Sequence, residues 1–88
     1  MQTSDDQPDE VFAQSKLLEA IENQLAANEP AAAQATLNKL TLVGYSREDS
    51  LGLMAQVLAH YINLMLEQDA AFPMESYEQA LRNLPDLP

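Results

Sequence analysis

The side chains that could do chemistry are few in this chain. It has one histidine, His60, and no cysteine, with four basic residues against fourteen acidic ones. Carboxylate-rich helical bundles can hold di-iron sites built from Glu-x-x-His pairs on two helices, but Val57 stands three residues before His60. Thiolate metal sites are excluded, and a single imidazole cannot supply the di-iron pattern. We therefore expect no metal and no other cofactor.

The sequence supports nucleophilic catalysis no more than it supports a metal site. A serine triad needs a serine held by a histidine, and none of the five serines lies in a supporting motif such as G-x-S-x-G. Phosphate-binding loops need several glycines, whereas Gly44 and Gly52 are the only two in the chain. We expect a protein that is not an enzyme and has no catalytic residue.

One short motif offers an alternative. Asp49-Ser50-Leu51 stands at the start of a predicted helix in an acidic chain of 88 residues. This motif resembles that of acyl carrier proteins, and the resemblance implies a phosphopantetheine arm on Ser50. The chain departs from that pattern because residues 30–43 predict a helix where carriers have a long loop, and Gly44 precedes Asp49 by five residues. The alternative without a functional role makes Ser50 a solvent-facing residue of the first helical turn.

The net charge of −10 restricts the possible partners. Phosphate backbones and anionic membrane surfaces would be repelled, so we expect neither nucleic-acid nor membrane binding. An acidic mimic of nucleic acid stays open as a further alternative. The acidic beginning, with Asp5, Asp6, Asp9 and Glu10, is unlike a cationic signal peptide. We expect a cytoplasmic protein.

Prolines, glycines and apolar spacing predict a compact all-α bundle. The four predicted helices span about 8–28, 30–43, 47–68 and 73–84. Pro30 and Pro73 suit first turns, Gly44 suits a left-handed cap, and Ser46 suits the N-cap of the third helix. We expect residues 1–7 to be a flexible acidic leader and residues 8–88 a single helical domain. The segment from Leu84 to Pro88 should be an extended tail lying on the bundle.

The third predicted helix is almost entirely apolar. Twelve of the sixteen residues at 51–66 are apolar, and the polar ones fall within an arc of roughly 80°. Such a helix must be wrapped by its own chain, by a second copy or by a partner. We expect Gln56, His60 and Asn63 to mark its one wet edge. Leu58, Ile62 and Met65 should lie on the opposite, buried side.

A second resemblance covers residues 30–88. The spacing of Pro30, Gly44-Tyr45, Phe72, Tyr77 and Leu84-Pro85-x-Leu87-Pro88 resembles a family of small uncharacterised bacterial helical proteins. The resemblance implies a bacterial all-α domain. Together these observations favour a non-catalytic protein–protein interaction module, whose partner is another protein or a second copy bound through the apolar third helix.

Overall fold

The computed structural model describes the backbone of residues 6–88 and the side chains of residues 13–88. Over these residues the chain forms four α-helices and no strand. The helices are α1 (Asp6–Ala27), α2 (Ala31–Leu42), α3 (Arg47–Gln68) and α4 (Met74–Asn83). The all-α bundle is confirmed, and its helix boundaries agree with the prediction to within about two residues. The first five residues of the predicted leader lie outside the described residues.

The helix ends are fixed by the residues that the sequence marks as caps. The Ser46 Oγ accepts a hydrogen bond from the Asp49 backbone N–H at 3.0 Å, which satisfies one of the free donors at the start of α3. Gly44 follows α2 with a φ of +111°, a conformation that L side chains rarely adopt. Pro30 and Pro73 occupy the N-cap positions of α2 and α4. Local chemistry thus determines where three of the helices begin.

The core lies where α3 meets the other three helices. α3 packs against α1, α2 and α4, and α2 also packs against α1 and α4. The largest fully buried apolar side chains come from all four helices and the turn after α4: Ile21, Leu40, Met54, Val57, Tyr77, Leu81 and Leu84. Two alanines of α2, Ala32 and Ala33, are also buried, and their small side chains allow neighbouring backbones to approach closely.

Tyr77 joins three elements of the bundle. Its hydroxyl donates a hydrogen bond to Gln24 Oε1 of α1 at 2.8 Å. Its ring meets Phe72 and Tyr61 edge to face, with centroid distances of 5.3 and 6.4 Å. Burial of the phenol raises the pKa of Tyr77 to about 12.

The two halves of α3 differ in their burial. Gln56, His60 and Asn63 are exposed, which confirms the predicted wet edge, and Leu58 is buried as expected. The prediction for Ile62 and Met65 is wrong in degree, because both are only half-buried. No residue from position 59 onward in α3 is fully buried. The chain therefore covers the first half of its apolar helix more completely than the second.

The tail does not run extended along the bundle from its first residue. Leu84 is fully buried, and the Asp86 backbone N–H donates to the Asn83 carbonyl at 3.0 Å, so the chain turns immediately after α4. Residues 85–88 are exposed. The expectation missed this turn because the prolines indicated only that the helix must end. Which way the chain runs after α4 depends on the burial of Leu84 against the core.

Candidate protein-interaction surface

The structure buries the serine of the carrier-like motif. Ser50 has no exposed surface, and its Oγ donates to the Ser46 carbonyl at 2.8 Å within the first turn of α3. The prediction that this residue faces solvent is therefore wrong. A phosphopantetheine arm requires an accessible hydroxyl, and Ser50 offers none unless this turn unwinds. The geometry thus gives the carrier alternative no support.

The single histidine stands apart from other potential ligands. His60 is exposed on α3, and its ring meets that of Tyr61 edge to face at a centroid distance of 4.9 Å. Among the described residues, no three histidine, aspartate or glutamate side chains come close enough together to hold a metal ion. None of the helices in the described part of the chain has the length and apolar character needed to cross a membrane.

Exposed apolar side chains are the most distinctive feature of the described surface. Six large ones stand out: Leu42, Val43, Tyr45, Leu66, Met74 and Leu87. Leu42 and Val43 are 86% and 63% exposed, and Tyr45 follows them in the loop between α2 and α3. We call these three residues the corner patch. Leu42 lies about 200° around α2 from the buried Leu40, so it must face away from the core.

A shallow groove continues from the corner patch along α3. Tyr45 forms one wall, Gly52 and Leu53 lie along it, and Glu48 and Asp49 supply two carboxylates at its edge. A Cβ atom added to Gly52 would have no neighbour within 4 Å. Packing inside the protein therefore does not explain why this helical position is a glycine.

A second, larger groove lies between α3, α4 and the tail. Its volume is about 610 Å³, and it is open to solvent. The residues that line it are Tyr61 of α3, five residues of α4 (Glu75, Ser76, Gln79, Ala80 and Asn83) and Asp86, Leu87 and Pro88 of the tail. We call it the α4 groove.

The basic side chains at the α2–α3 end have partners within the protein. The two terminal nitrogens of Arg47 donate to the two carboxylate oxygens of Glu22 at 2.9 and 3.0 Å. These hydrogen bonds lower the pKa of Glu22 and raise that of Arg47. Lys39 donates to the Arg82 carbonyl at the C-terminal end of α4. No lysine or arginine lies between positions 47 and 82. The charged side chains of α3 beyond its first residue, and those of α4 before Arg82, are therefore all acidic.

The corner patch and the α4 groove were not anticipated from the sequence. Two sequence signals could have indicated the corner patch and the groove beside it. One is the angular position of Leu42, which lies off the buried stripe of α2, and the other is Gly52, a glycine inside a strongly helical pattern. The α4 groove had no comparable signal, because residues of α3, α4 and the tail meet there only in the folded chain.

Comparison of the chain with models of protein families, with curated proteins and with solved structures gave no match in any of the three. The resemblance to small bacterial helical proteins therefore stays a prediction.

Proposed function

We propose that this protein is a small, non-catalytic interaction module of the bacterial cytoplasm, which binds a protein partner through the corner patch and the adjoining groove. The observation that carries the proposal is the exposure of Leu42, Val43 and Tyr45, which lie close together in sequence where α2 joins α3. Transfer of large apolar side chains out of water is favourable, and contiguous exposed patches of them mark interaction sites.

Gly52 supports the same surface. A glycine inside a helix costs roughly 0.5–1 kcal/mol relative to alanine, because the unfolded chain has more conformational freedom to lose. Nothing within the protein occupies the space where its Cβ would lie. A glycine at such a position allows the backbone of a ligand to approach α3 closely, beside the ring of Tyr45. The cost in helix stability is then offset when the partner binds.

The proposal favours a different protein over a second copy at this surface. Each copy carries a net charge of −10, and Glu48 and Asp49 border the groove. Two copies joined here would bring these carboxylates together, and like charges in an interface oppose association.

The test begins with a photoreactive cross-linking residue in place of Val43, introduced into the full chain in its source cells. Gln14, an exposed polar residue of α1, is the control position. A cross-linked protein specific to position 43 is then purified, and its affinity for the wild-type chain is measured by calorimetry. Equal cross-linking at positions 43 and 14 would contradict the proposal.

Two variants sharpen this measurement. The double variant Leu42→Ser/Val43→Ser should weaken binding of the purified partner about a hundredfold or more, since each side chain contributes roughly 1.5–3 kcal/mol when it is fully buried. Gly52→Ala should raise the stability of the free protein while weakening binding. A Gly52→Ala variant that gained stability and kept full affinity would show that the partner does not approach the backbone of α3.

A homodimer formed through α3 is a second candidate, favoured by the incomplete covering of its second half. Ile62 and Met65 are half-buried, and Leu66 is 67% exposed. Sedimentation equilibrium of the full chain over a wide concentration range tests this candidate. A dimer that Leu66→Glu dissociates, while Leu42→Glu leaves it intact, would establish it, and a monomer at all concentrations would remove it.

A further inference from the structure

We propose that the α4 groove binds a basic, amphipathic helical segment of a partner protein. This site is separate from the corner patch, with which it shares no residue. The shape of the groove, the apolar part of its mixed lining and the sign of its charges support this assignment.

The apolar part of the groove is formed by side chains from three elements. Tyr61 of α3 is half-buried, so part of its side chain faces outward, and Leu87 of the tail is 48% exposed. Ala80 of α4 is buried beneath the groove, and the exposed Ser76 precedes it by about one turn. These two small residues leave room for apolar side chains of a ligand, and Tyr61 and Leu87 would contact them. An amphipathic helix inserts side chains into such grooves at spacings of three and four residues.

The charged part of the groove is acidic. Glu75 and Asp86 line it, and neither has an ion-pair partner among the described residues. Arg82 is the one basic residue of α4, and it does not line the groove. Glu67 and Asp69 at the end of α3 add further negative charge at the α3–α4 connection. Lysine or arginine side chains on the polar face of a bound helix would therefore meet complementary charges.

Charge also argues against the other possible occupants. The N-terminal residues of this chain include Asp5, Asp6, Asp9 and Glu10, so its own beginning would be repelled. A second copy would bring a net charge of −10, and three of its four basic residues, Lys16, Lys39 and Arg47, already have partners. A basic amphipathic segment of another protein is the occupant that fits both the apolar part of the lining and the carboxylates.

The experiment uses a fluorescent peptide designed as an amphipathic helix of leucine and lysine, titrated with the full chain and followed by anisotropy. The matched probe has glutamate in place of every lysine. We expect the lysine peptide to bind and the glutamate peptide not to bind. Equal binding of both peptides, or of neither, would overturn the proposal.

Variants then locate the bound peptide. Glu75→Gln/Asp86→Asn should weaken binding of the lysine peptide about three- to tenfold at low salt, as expected for two exposed ion pairs, and the difference should shrink at high salt. Glu19→Gln/Glu29→Gln removes the same charge from α1 and the α1–α2 connection and is the control. Equal weakening by both pairs would mean that only net charge matters, and it would overturn the site.

A matched pair of substitutions tests the apolar contact. Leu87→Ser, in the exposed tail, should weaken binding of the lysine peptide, whereas Leu42→Ser, in the corner patch, should not. The opposite result would place the peptide on the corner patch and would overturn this proposal while leaving the proposed function standing. Failure of the cross-linking test at position 43 would leave the present proposal intact, so the two are tested separately.

Discussion

Replacing Tyr77 by phenylalanine should make the protein less stable at neutral pH and more stable at alkaline pH. The phenol is fully buried and donates one hydrogen bond to Gln24. Removing it should cost about 1 kcal/mol in the free energy of unfolding near pH 7, a typical net value for such a bond.

The reversal follows from the pKa of Tyr77, which burial raises from an ordinary value of 10.0 to about 12. Below pH 10 both the folded and the unfolded chain keep the phenol protonated, so this group contributes its full stability. Between pH 10 and pH 12 the unfolded chain loses the proton first, and stability falls by up to about 2.7 kcal/mol, at about 1.36 kcal/mol per pH unit. The phenylalanine variant lacks this loss, so the two stability curves should cross near pH 11.

Urea unfolding followed by circular dichroism, repeated from neutral pH to pH 12, measures both curves. Phe72→Leu is the matched control, because it weakens the same aromatic cluster and keeps the Tyr77 hydroxyl. This control should stay less stable than the wild type at every pH. If the Tyr77→Phe curve ran parallel to the wild-type curve up to pH 12, burial of the phenol would not be the cause of the alkaline loss.

Three further substitutions test the packing and the caps by urea unfolding at neutral pH. Thr36→Val should be neutral or stabilising by up to about 1 kcal/mol, because the buried Thr36 Oγ1 has no hydrogen-bond partner among the described residues; a clear loss of stability would mean that the hydroxyl is bonded. Ser46→Ala should cost about 1 kcal/mol by removing the N-cap bond to Asp49, and an unchanged midpoint would contradict that role. Met54→Ala should cost about 2–5 kcal/mol, since Met54 is fully buried at the centre of the core; a cost below 1 kcal/mol would mean that the core collapses around the deletion.

Much of the fold could be predicted because its signals are local. Pro30, Gly44 and Ser46 act within a few residues of their own positions, so the ends of the helices follow from the sequence without knowledge of their neighbours. The wet edge of α3 follows in the same way from helical periodicity. Ser50 shows where this reasoning fails, because its position in a first turn does not reveal that the bundle covers it.

The candidate surfaces could not be predicted in this way, because they depend on contacts between helices. Periodicity gives the angle of a residue around its own helix, but it does not give the length over which neighbouring helices cover that helix. α1 matches the 22 residues of α3, but α2 and α4 have only 12 and 10, so each of these two covers α3 over part of its length. The half-buried Ile62 and Met65 show the consequence.

The sequence by itself determined four helices, their caps, an acidic surface and one helix too apolar to stand alone. Tertiary structure decided which apolar residues stay in contact with water. Leu42 and Leu40 are two residues apart and chemically identical, yet one is 86% exposed and the other fully buried. Packing of α1, α3 and α4 on α2 covers Leu40 and leaves Leu42 in water, whereas the α4 groove stays open between α3, α4 and the tail.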